Sequence, residues 1–170
     1  MTYFQIPSVY APFSDENRHQ EAEDISREYF PDTHYEMTHH KARLISSDDD
    51  SNSVPDYRFG IKGVKLAFWL ESKYRIVKQL NEVIPVFKTG QLDRLKGFEN
   101  SFLFLRIKIQ REDYSFLIPI DHIKTNELHF SFLRPYLMTN TKPVQPNIIL
   151  KYLQEAALDF PSYFSAGIWS

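Results

Sequence analysis

Cysteine is missing from this chain, and with it go a disulfide framework, Cys-ligated zinc and any thiol nucleophile. That absence is compatible with a cytoplasmic home, which is the location expected here. Glycine is scarce, with five in 170 residues. No Gly-rich phosphate loop of the P-loop or Rossmann kind occurs, and no Gly-x-Ser-x-Gly elbow presents a serine for a hydrolase triad. There is no run of about 18 uncharged apolar residues, so no membrane span is read. Residues 1–13 are apolar and aromatic but lack a basic leader and a small-residue cleavage site, and a secretory signal is not expected. No internal repeat is visible at solenoid or propeller periods.

What is present can build a core. Apolar residues make up 42% of the chain, with 14 Phe and 10 Tyr, far from the aromatic-poor profile of disorder. One domain over 1–170 is expected, with a core at about 15–120 and a C-terminal helical extension at about 146–158. The net charge of −2 conceals a division. Residues 1–57 hold 4 Lys/Arg against 12 Asp/Glu, residues 58–111 hold 12 against 4, and residues 112–170 hold 4 against 6. The basic middle is either a phosphate-facing surface or a set of ordinary solvated faces.

Ser14, followed by Asp15 and Glu16, suits a helix start, and an apolar stripe of Ala22, Ile25, Tyr29 and Phe30 carries that helix over 14–30. Residues 34–45 read as an extended strand and 46–53 as a polar acidic loop. A short strand over 54–59 and a turn over 60–63 lead into a long strand over 64–74, with Val64, Leu66, Phe68 and Leu70 on one face. Residues 76–87 are ambiguous between helix and strand. A helix over 91–99 places Leu92, Leu95 and Phe98 at helical spacing. Strands at 102–109 and 114–120 follow, with Glu112-Asp113 as the turn between them, and a last helix spans 146–158 behind a first-turn proline. This is a mixed α/β order.

The chemistry gathers in Val54-Pro55-Asp56 and, past the hairpin, Phe68-Trp69-Leu70-Glu71-Ser72-Lys73. Strand side chains alternate, so Glu71 and Lys73 share a face about 7 Å apart. Charges at the end of an apolar strand are costly to bury without partners, unless the face opens onto a metal and a phosphate. Phosphodiester hydrolysis needs a hard divalent cation to generate hydroxide and to offset charge on the phosphate. Mg²⁺ takes oxygen ligands, commonly one or two carboxylates plus waters. Asp56 and Glu71 would supply those carboxylates, with Lys73 beside the attacking water. A plain Glu71–Lys73 salt bridge on an exposed strand end is the simpler account.

Pro55-Asp56, a hairpin and then Glu71-Ser72-Lys73 resembles the signature of the PD-(D/E)xK nuclease superfamily, which includes restriction enzymes, archaeal-type Holliday junction resolvases and repair exonucleases. Members often place a metal-shell Glu on the first helix, a role that falls to Glu23, with Glu21 and Glu28 as competing choices. Lys88-Thr89-Gly90-Gln91-Leu92-Asp93-Arg94-Leu95-Lys96-Gly97-Phe98 resembles the Lys-x-x-Gln-x-x-x-Leu-x-x-Phe helix of the resolvase-like branch, whose Gln lies beside the active site. The resemblance implies a restriction-endonuclease-like αβββαβ core with a central mixed sheet flanked by helices. It also implies a Mg²⁺- or Mn²⁺-dependent nuclease in which Asp56, Glu71 and Glu23 bind metal, Lys73 assists the nucleophile and Gln91 orients water or phosphate. DNA would be held by its backbone along the basic 58–111 region, without base specificity, and a homodimer is the expected form for paired-strand cleavage.

Other signals carry less. His39 and His40 face opposite sides of a strand and cannot share one ion; with His34 they read as solvent-exposed. Asp48-Asp49-Asp50 lacks the turn Gly and distal Glu of a calcium loop. Asp121-His122 reads as a helix cap beside a surface His. Tyr163, Phe164, Ile168 and Trp169 form an apolar tail suited to packing or a dimer contact. The rival functions are a catalytically inactive nuclease-fold module binding nucleic acid or a protein partner, and a plain interaction or immunity-type protein.

Overall fold

A computed structural model describes residues 25–40, 54–138 and 142–158 of the chain. Its centre is a five-stranded mixed sheet in the order β1-β2-β3-β5-β6, formed by β1 (Tyr35–His40), β2 (Tyr57–Ile61), β3 (Ala67–Val77), β5 (Ser101–Ile109) and β6 (Glu112–Pro119). β1, β2 and β3 form an antiparallel meander, β3 and β5 run parallel, and β5 and β6 are antiparallel again. A parallel neighbour requires a crossover. Here the crossover carries β4 (Ile84–Pro85) and the short helix α2 (Gln91–Leu95). The π-helical turn α1 (Ile25–Tyr29) precedes the sheet, while β7 (Glu127–Leu128), the short helix α3 (Phe130–Leu133) and the helix α4 (Pro146–Leu158) follow it. Helix, three strands, helix and strand is the expected αβββαβ order, with a central mixed sheet flanked by helices.

The side-chain period assigns each sheet face its own core. Tyr35, Phe59, Phe68, Phe102 and Phe104 point to one side, where Ile25, Tyr29, Phe30 and Ile149 of α4 cover them. Phe30 stacks on Phe59 at 4.8 Å and sets its edge against Tyr35 and Phe104. On the other side Leu103, Leu105, Ile107, Phe116 and Ile118 meet Leu92 and Leu95 of α2. Phe102-Leu103-Phe104-Leu105 is therefore a continuous apolar run because this strand is covered on both faces. Burial of each such side chain contributes about 1.5–3 kcal/mol.

Three local expectations are corrected. β3 starts at Ala67 rather than residue 64, and Val64 and Leu66 lie in the hairpin loop at 42% and 38% exposure. Gly63 adopts a positive φ of 84° there, and Ile61 N–H donates to Leu66 O, closing a loop longer than the one expected. The β5–β6 turn is Gln110-Arg111, since Ile109 already pairs with Glu112. Gln110 takes the left-handed φ of 57° that turns normally reserve for Gly or Asn, which hid it. α2 ends at Leu95 rather than residue 99, and Gly97 and Phe98 continue it as turns.

Residues 14–24 of the first helix, the acidic loop 46–53 and the apolar tail at 163–169 lie outside the described residues. Among the described residues, no helix is long and apolar enough to cross a membrane.

Candidate active site

The β2–β3 register places Tyr57 opposite Leu70 and Phe59 opposite Phe68, all four on the aromatic side. By alternation the opposite sheet face receives Asp56, Glu71 and Lys73. This is the face that α2 covers. The sheet thus brings the two carboxylates and the lysine to one side, where the crossover passes over them.

Asp56 stands at the foot of β2, half-buried, and its Oδ2 accepts the Ser72 backbone N–H at 2.9 Å. That bond ties the loop entering β2 to the charged end of β3. Glu71 is only 4% exposed, so the expected exposed strand end is replaced by an interior position. Its Oε2 lies 3.5 Å from Lys73 Nζ. Gln91, the first residue of α2 and also 4% exposed, connects the two charges. Lys73 Nζ donates to Gln91 Oε1 at 3.0 Å, and Gln91 Nε2 donates to Glu71 Oε2 at 3.2 Å. An amide suits this position because it accepts from the cation and donates to the anion at once.

Burial pushes the Lys73 pKa below its ordinary value; the carboxylates of Glu71 and Asp56 oppose that shift, and Arg75 adds to it. The ring of Phe87 lies 5.8 Å from Lys73 Nζ and closes the apolar side of its environment.

Sequence reasoning passed over Arg75. It follows Glu71 and Lys73 on the same strand face and is 7% exposed. Its Nε donates to Pro85 O at 2.9 Å, one terminal nitrogen to Val86 O at 2.8 Å and the other to Tyr74 O at 2.9 Å. These bonds anchor β4 to β3 and so place the segment that delivers Phe87 and Gln91. The available signal was the period-2 row Glu71, Lys73, Arg75. The acceptors are backbone carbonyls of the segment whose structure was ambiguous.

Glu23 and Glu21 lie outside the described residues. Glu28, the third choice for the first-helix carboxylate, instead pairs with Lys142 at 3.0 Å on an exposed surface. Among the described residues, no group of three or more His, Asp or Glu side chains could hold a metal ion. Asp56 and Glu71 still fit a hard divalent cation as donors, since Mg²⁺ commonly takes one or two protein carboxylates and completes its shell with water.

His34, His39 and His40 are half-buried rather than solvent-exposed. His39 sets its ring against Trp69 at 5.8 Å, and His40 stacks on Tyr57 at 4.9 Å, on opposite faces of the sheet. Asp121 and His122 lie within a 3₁₀ turn whose N-terminal flanking residue is Pro119, and no side chain caps it. His122 Nδ1 lies 2.7 Å from the Tyr136 hydroxyl, so its ring belongs to a structural contact.

No protein-family model matches the chain, and no curated protein is similar to it. Among solved structures, the chain is similar to Hjc, a Holliday junction resolvase from the archaeal hyperthermophile Archaeoglobus fulgidus, with 10% identity, a TM-score of 0.43 and coverage of 81% of this chain and 96% of that one.

Proposed function

We propose that this chain is a metal-dependent nuclease that hydrolyses DNA phosphodiester bonds without reading base sequence. The observation that carries this is the buried cluster of Glu71, Lys73 and Gln91 beside Asp56, on the sheet face whose core includes Leu92, Leu95, Leu103 and Leu105. A buried Glu–Lys pair is a poor device for stability, because desolvation offsets most of its attraction and an apolar pair would hold the strand as well. Chemistry at a phosphate accounts for its presence.

Asp56 and Glu71 would hold Mg²⁺ or Mn²⁺, with Glu23 as the further carboxylate. When bound, the cation supplies an acidified water and a counter-charge for the phosphate. The protein's own groups do the rest. Lys73, its Nζ 3.5 Å from Glu71 Oε2, would offset the charge that builds on a phosphate held by the carboxylates' cation. Gln91 holds the lysine and the glutamate in one geometry and orients water or phosphate. The basic region 58–111 would track the backbone, and a homodimer would serve paired-strand cleavage.

The test is a cleavage assay on duplex, single-stranded and four-way-junction DNA with Mg²⁺ or Mn²⁺. Cutting is expected with metal, falling at least a hundredfold in both Glu71→Ala and Lys73→Ala, as loss of a charge-stabilising group commonly does. A second reading is a non-catalytic module that binds nucleic acid or a protein partner, and the engagement of Glu71 Oε2 by both Gln91 and Lys73 favours it. Unchanged DNA affinity in all three proteins without any cutting would establish that reading in place of the first.

A further inference from the structure

The alternation that gathers Glu71 and Lys73 also determines what stands beside them. Trp69 precedes Glu71 by two residues and projects from the same face, about 7 Å back along β3. Its register partner on β2 is Arg58, whose guanidinium carbon lies 5.5 Å from the indole centroid. On the other flank the Phe98 ring meets it at 5.1 Å and 64°. His39, the register partner of Arg58 on β1, extends the row. Trp69 and Phe98 are large aromatic side chains, yet both are half-buried and neither belongs to either core cluster. Toward the hairpin, a groove of about 300 Å³ is bordered by Arg58 and the exposed Lys62 and Lys65, with Glu36 as the one acid in its lining.

We propose that Arg58, Trp69 and Phe98 form a stacking platform for an unpaired base of single-stranded DNA whose adjoining phosphate lies over Asp56, Glu71 and Lys73. This rests on reading the carboxylate–lysine face as a phosphodiester-cleaving centre, and it names the substrate: a strand with an unpaired nucleotide at the cleavage point. Inside a duplex both faces of each base are taken by its neighbours, so only an unpaired base can offer a π face to an indole. Stacking on Trp or on a guanidinium tolerates every base, which agrees with cleavage that ignores sequence. Lys62 and Lys65 then lie where the strand's next phosphates would run.

The chain has two tryptophans, so Trp169→Phe leaves Trp69 as the only indole fluorophore. This protein, in EDTA, is titrated with a deoxythymidine oligonucleotide, with an abasic deoxyribose-phosphate oligomer of equal length, and with a blunt hairpin duplex. The thymidine oligomer is expected to quench Trp69, while the abasic oligomer binds about tenfold more weakly without quenching, the size of one lost base stack. The duplex leaves the emission unchanged. Trp69→Leu should lose about tenfold in affinity for the thymidine oligomer, and Trp69→Phe should hold within about threefold of wild type. If Trp69→Leu does not fold, the emission of the Trp169→Phe protein decides alone. Equal affinity for thymidine and abasic oligomers with unchanged emission would overturn the proposal and leave the row as packing. Because no metal is present, the two ideas fail separately. Quenching without any cutting in Mg²⁺ would keep the platform and remove the nuclease, and Glu71-dependent cutting without quenching would do the reverse.

Discussion

Gln91 is where the site's geometry is most exposed to test at the residue scale. It is buried, it bonds Lys73 and Glu71 together, and it begins a helix that belongs to the crossover rather than to the sheet. Gln91→Leu keeps the volume but withdraws one acceptor from a desolvated ammonium and one donor from a desolvated carboxylate. The expected cost is about 1–3 kcal/mol in urea unfolding, the penalty of a buried polar group losing a partner. Turnover should fall by at least tenfold, because the lysine loses its bearing on the carboxylates; retention of full turnover would show that Gln91 only packs. That Asp56, Glu71 and Lys73 share one face was legible in the sequence, since strand alternation and hairpin spacing fix the side on which each emerges. Gln91, on the crossover helix, is singled out only through the resemblance of its segment to the resolvase-like branch. Arg75 was not legible, because its burial is satisfied by Pro85 and Val86 carbonyls, and a carbonyl leaves no mark in a sequence.

At the scale of elements, the long-range tie from β1 to the approach of α4 is the clearest to examine. The Tyr35 hydroxyl donates to Val144 O at 2.7 Å across 109 positions of sequence, and Val144 N–H donates to Tyr29 O at 2.8 Å. Tyr35→Phe should lower unfolding free energy by about 1–2 kcal/mol, since a buried carbonyl loses its donor. Burial also pushes the phenol's pKa well above its ordinary value of about 10. The folded chain keeps this proton where the unfolded chain releases it. Stability is therefore complete below about pH 10 and declines as the pH rises further, with a steeper decline in wild type than in Tyr35→Phe. Denaturant midpoints at pH 8 and pH 11 would measure this. Elements with strong patterning, such as β5 with its unbroken apolar run, were readable to within a residue. Boundaries set by backbone conformation were not: Val64 and Leu66 continue the strand's alternation in sequence but lie in the loop that Gly63 turns, and Gln110 makes a turn without a turn residue.

For the whole molecule, the division of charge and the paired carboxylates predict a response to metal that needs no substrate. Mg²⁺ or Mn²⁺ at a hundred times its dissociation constant should stabilise the folded chain by about 2.7 kcal/mol, read as a melting temperature raised by roughly 5–10 °C. Glu71→Ala and Asp56→Ala should lose that increment, and an equal rise in all three proteins would place the bound ion elsewhere.

The parallel pairing of β3 with β5 has a consequence for the chain while it is being made. Asp56, Glu71, Lys73 and Gln91 are all synthesised before residues 101–109, yet β3 lacks its central neighbour until those residues arrive. Gln91 sits in the crossover that joins β3 to β5, and a non-local pairing of this kind is slow to form. An unfinished or misregistered chain would thus carry every candidate residue without the arrangement through which they are proposed to act. If the chain cuts DNA as proposed, it would in this way stay harmless on the ribosome and become competent only as the sheet is completed.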